Sequence, residues 1–151
     1  MTEIAFYHLE QKRLEEALPQ LLEKAHERGL KSLVLAGSAE RVAALDTLLW
    51  TYKREGFLPH GARGEGRPER QPIYLTDIEE NPNQAVLVAL VDGGRLEFVQ
   101  QFQRCLDIFD GNDELAVAAA RERWKAAKDQ GHKLTYWQQT ERGGWENKAE
   151  G

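Results

Sequence analysis

Few side chains here are of types that make or break bonds. The histidines are His8, His26, His60 and His132, and the lone cysteine is Cys105. None falls in an H-E-x-x-H or cysteine-containing ligand pattern, so no metal site is expected. His60 follows Pro59 and precedes the glycine-rich run GARGEG (61–66), where it could serve as a general base. A histidine so placed more often ties a loop's backbone, and that reading carries more weight. Cys105 lies in an apolar run, which suits a buried thiol better than a nucleophile. No serine elbow, P-loop or G-x-G-x-x-G fingerprint is present. LAGSAER (35–41) puts Gly-Ser between strand and helix, where helix amides can hold an anion, but a plain turn explains it better. Together with His60 it forms the alternative reading, a small nucleotide-binding enzyme. No positive evidence for catalysis or a cofactor emerges.

Binding chemistry is better represented. Val117, Arg121, Trp124, Lys125 and Lys128 recur on one side of a helical run. Cations beside an indole and a valine make a charged rim around an apolar floor. Such a rim suits an acidic peptide that ends in a hydrophobic residue and a free carboxylate. A solvated basic face over a packed Trp124 is the plainer alternative, and the pattern alone favours it. Val42, Leu45, Leu48 and Leu49 form an apolar stripe from which Trp50 points well away, at about 100° per residue. Trp50 then either anchors a partner, with Phe57 beside it, or covers the other side of the domain. The two stand about even.

The elements that would position these groups alternate. Strands are expected at 4–9, 32–37, 71–76, 84–92 and 132–139, with 105–110 ambiguous between strand and helix end. Helices are expected at 12–29, after Ser38, and at 111–131; Pro19 suggests that the first becomes regular only near Leu18. Residues 61–72 read as an extended loop and 141–151 as a loose tail after a domain at 1–140. Nearly continuous apolar strands point to a single three-layer α/β domain with a mostly parallel, Rossmann-like sheet that lacks a nucleotide motif.

Composition sets outer bounds. The 151 residues fit one domain, and the net charge of -5 disfavours DNA binding driven chiefly by phosphate neutralisation, local basic patches aside. One cysteine, no signal peptide and no membrane-length apolar run point to the cytoplasm.

Three stretches resemble the chi subunit of bacterial DNA polymerase III: FYHL (6–9), LLWTYKREGFLPHGARGEG (48–66) and AARERWKAAKDQGHKLTYW (119–137). FLPH followed by GEG, and RERWKA, are the more specific parts, and the likeness extends over the whole domain in order and length. It implies a non-catalytic accessory subunit of the replicative holoenzyme. Such a subunit links the clamp loader, through the psi subunit, to the acidic carboxyl-terminal tail of single-stranded DNA-binding protein. By this resemblance Arg121 and Trp124 correspond to the tail-binding arginine and aromatic. Trp50 and Phe57 correspond to aromatics facing psi, or a helicase that competes for that surface. Val117 stands where one member carries a lysine, and Lys125 and Lys128 are expected to supply that charge from the other side of Arg121.

Overall fold

The computed structural model describes residues 1–10, 13–52, 58–142 and 144–150. The strands are β1 (Glu3–Leu9), β2 (Ser32–Leu35), β3 (Gly61–Ala62), β4 (Ile73–Thr76), β5 (Leu87–Leu90), β6 (Arg104–Asp110), β7 (Lys133–Gln139) and β8 (Trp145–Glu150). The helices are α1 (Leu14–Glu27), α2 (Ala39–Thr51), α3 (Leu96–Val99) and α4 (Glu114–Asp129), with a short 3-10 turn at Pro68–Arg70. They build one sheet in the order β3-β4-β2-β5-β6-β1-β7-β8. Every pairing is parallel except that of β7 with β8. The fold is thus the three-layer α/β arrangement that the alternating apolar runs predict.

The two sheet faces hold separate cores. On one side Leu18, Leu22, Leu45 and Leu49 of α1 and α2 meet Val34, Leu75 and Ile108. On the other, Phe98 of α3 and Ala120 and Ala127 of α4 meet Phe6, Val88 and Leu134. Strands β2, β4 and β5 are buried along their whole length, as central strands covered on both faces must be. The run at 105–110 is a strand, β6, held between β5 and β1.

Three expectations are corrected. Helix α1 is regular from Leu14, not from Leu18, and carries Pro19 in its interior. Proline there forfeits the hydrogen bond to the Glu15 carbonyl, which lies in an exposed first turn. Burial of Leu14, Ala17, Leu18, Leu21 and Leu22 on one stripe outweighs that loss. The helix then ends at Gly29, whose φ of 73° lets Leu30 N–H return to the Ala25 carbonyl at 3.0 Å. The segment read as a loose tail forms β8, because Trp145 folds over the sheet and meets Tyr7 edge-on at 4.9 Å. The extended loop at 61–72 begins as β3, an edge strand beside β4. Short α3 carries no periodicity long enough to be read from sequence.

Candidate functional site

Helix α4 is set by its first turn. The Asp113 carboxylate accepts from Leu115 N–H at 3.0 Å and Ala116 N–H at 3.3 Å. Small Ala120 and Ala127 let the helix lie close on the sheet. Trp124, one turn from each, is half-buried, its ring 5.3 Å from Phe6 of β1 and 5.9 Å from Tyr136 of β7. Val117 packs against the same cluster. Outward of this apolar floor stand exposed Arg121 and Lys128. Lys125 is exposed too, but lies roughly 80° round from Val117 and pairs with Glu122 at 3.6 Å. At about 100° per residue Val117, Arg121, Trp124 and Lys128 fall within roughly 60° of one another, with Lys125 about 40° beyond Arg121.

Two neighbours of this site went unassigned in the sequence reading. The Tyr136 hydroxyl hydrogen-bonds His8 Nδ1 at 2.6 Å, and the His8 ring meets Phe109 at 5.3 Å. Burial pushes the Tyr136 hydroxyl above the ordinary tyrosine range, while the positive charge of Arg121 draws it partly back. His8 keeps its place because residue 111 is glycine, since a Cβ there would collide with the imidazole. The signals were FYHL and TYW, but only the parallel register of β1 with β7, Phe6 beside Tyr136, joins them.

The other arginine of RERW turns inward. Arg123 grips Asp107 of β6 at two points, Nε to Oδ2 at 2.6 Å and a terminal nitrogen to Oδ1 at 3.0 Å. Asp107 is buried; burial pushes its carboxyl up, and the guanidinium offsets part of that. Arg123 thus fixes α4 on the sheet, leaving Arg121 to face outward.

Trp50, in the last turn of α2, is 56% exposed, in line with its angle from the buried Val42, Leu45 and Leu49. Its ring meets His60 edge-on at 5.2 Å. His60 is buried, with Nδ1 2.7 Å from the Leu58 carbonyl oxygen and Nε2 2.9 Å from the Asp46 carboxylate. This histidine ties the loop to α2, as the plainer reading holds. Phe57 lies outside the described residues.

The nucleotide alternative does not assemble. A crevice of about 710 Å³ opens at the carboxyl ends of the strands, but His60 is not among its walls. At the 35–41 turn the Asp92 carboxylate takes Gly37 N–H at 2.8 Å and lies 3.4 Å from Arg41 Nε. The turn's anion is therefore one of the chain's own side chains, so close that a Cβ on Gly37 would press on it at 3.2 Å. Among the described residues no cluster of three or more His, Cys, Asp or Glu could hold a metal. Burial raises the Cys105 thiol well above its ordinary range, first through desolvation and then through nearby Asp107. Among the described residues no helix is long and apolar enough to cross a membrane.

Comparison with known proteins agrees with the likeness in the sequence. The family described as "DNA polymerase III chi subunit, HolC" matches residues 1–135. A protein of Rickettsia prowazekii (strain Madrid E) described as "Probable DNA polymerase III subunit chi" is 32% identical over 117 residues, covering 73% of this chain and 71% of that protein.

Proposed function

Starting from the fact that the chain belongs to the DNA polymerase III chi subunit family, we propose that it is a non-catalytic connector in the replicative assembly. One surface, on α4, holds the acidic carboxyl-terminal tail of single-stranded DNA-binding protein. A second, around Trp50 and Phe57, docks on the clamp-loader side, through a psi subunit or a helicase that shares the surface.

One observation carries the reading: Arg121 and Lys128 stand exposed beside an indole held half-buried by Phe6 and Tyr136. An acidic peptide ending in an aromatic residue and a free carboxylate meets both needs of this arrangement. Its terminal ring packs on Val117 and Trp124, and its carboxylate takes a charge-assisted, two-point bond from Arg121. Lys128 adds attraction for upstream acidic residues. Many tails along one coated strand raise the local concentration, so modest affinity per tail suffices.

The test is calorimetric titration of the protein with such a peptide. Binding that weakens with added salt and is lost on amidating the peptide's terminal carboxylate supports the site. Affinity indifferent to both would sink it.

A further inference from the structure

Helix α1 links β1 to β2, so its path leads away from β7 and β8. On that face the sheet's end carries three half-buried rings beside the last turns of α1. Tyr7 and Trp137 lie side by side on neighbouring strands, nearly parallel with centroids 6.4 Å apart. Trp145 closes on Tyr7 edge-on. Between these rings and the last turns of α1 is a hollow of about 350 Å³. Lys24 lines it from the last turn of α1, Arg28 from just past the helix end, and Arg104 from β6.

The charge at this hollow runs against the protein as a whole. The chain is acidic by five charges, yet among the described residues no carboxylate lines the hollow. Lys24 and Arg28 are exposed and have no ion pair within 4.0 Å among the described residues. Among the described residues the ion pair of Arg104 is with Glu3, at 4.0 Å and outside the lining. Cations at a helix's carboxyl end are ordinary complements to its dipole. Arg104 belongs to a different element, and its convergence with them needs another cause. Burial raises the Tyr7 hydroxyl above the ordinary tyrosine range, and the charges of Arg104 and Arg28 draw it partly back.

We propose that this hollow binds single-stranded DNA, stacking a base on the rings and holding the adjoining phosphates with Lys24, Arg28 and Arg104. Ring faces beside converging cations are the arrangement that seats unpaired bases. Trp137 spends its indole N–H on Thr135 Oγ1 at 3.0 Å. It therefore offers π surface, which suits a base better than a peptide backbone. The site lies on the sheet face opposite the α4 groove, so it stands or falls separately from tail binding.

The experiment titrates the full chain with short oligothymidylate at low salt and follows tryptophan emission. Quenching is expected, with log K falling against log salt at a slope of about -2 if three phosphates are neutralised. In Lys24→Glu/Arg28→Glu, at two exposed positions and with folding checked by circular dichroism, affinity should drop about ten-fold or more, while the acidic tail peptide binds as before. Trp145→Ala should remove much of the quenching; if it unfolds β8, the charge-reversed protein still decides. Absence of quenching overturns the proposal, as does unchanged affinity after charge reversal. Thymidine monophosphate binding as tightly as the oligomer, or an acidic peptide displacing it, overturns it equally.

Discussion

Trp124 and Trp50 both sit on helices just outside a buried stripe, but the molecule supports them differently. Trp124 leans on two rings of the sheet, Phe6 and Tyr136, and the helix beneath it is fixed by the buried Arg123–Asp107 pair. Trp50 stands more open and rests on His60, which is itself tied to Asp46 and the Leu58 carbonyl. One indole is part of the core's outer layer, with charge arranged beside it. The other is displayed on a helix end by a polar tie. A site that must read charge needs its aromatic fixed, so that the cations keep their distance from it. A site that offers mainly ring surface does not.

The largest effect should come from removing what fixes α4. Arg123→Ala strands the Asp107 carboxylate, and breaking such a pair costs about 3–5 kcal/mol. Chemical denaturation should show the loss; near-wild-type stability would mean that α4 is held by its alanines alone. Asp107 adds a pH signature. Its native pKa is raised, so its contribution favours the fold below the ordinary carboxylate range and fades as pH rises through the native value. Asp107→Asn should flatten that part of the stability profile, and an unchanged profile would deny that Asp107 titrates with folding.

Next in size is Arg121→Ala, which removes a charge-assisted contact of about 1.5–3 kcal/mol while leaving the melting temperature unchanged. Calorimetry should show tail-peptide affinity weakened roughly ten-fold or more. An equal loss in Lys125→Ala would blur the distinction drawn between the two cations, because Lys125 lies farther round the helix and already pairs with Glu122. Smallest in stability terms is Trp50→Ala, expected to stay within about 0.5 kcal/mol of wild type, as exposed positions do. Its effect belongs elsewhere: capture of clamp-loader components should fail while peptide binding persists. A protein that unfolds on this change would make Trp50 core and end the comparison.

The central strands were legible because continuous apolar runs bounded by turn residues have few other fates. Pro19 misled because its penalty is local, whereas the stripe from Leu14 to Leu22 that absorbs it is visible only once the sheet is in place. The tail at 141–151 looked loose because its polar residues hide a single decisive one, Trp145, whose target Tyr7 lies at the far end of the chain. In the α4 site the side of the helix was readable from spacing alone. The separation of labour between Arg121 and Arg123 was not, because it depends on Asp107, a buried carboxylate among the apolar residues in the middle of β6. His8 and Tyr136 escaped for the same reason: their bond spans 128 residues of chain.

The final strand also governs how the sheet meets other chains. Beyond Trp145 every residue of β8 is exposed, and Glu146 and Lys148 pair across it at 3.4 Å with Glu150 beyond. Alternating charge on an outermost strand discourages a foreign strand from hydrogen-bonding alongside it. Copies are thereby discouraged from zipping together along β8, which is one of the sheet's two edges.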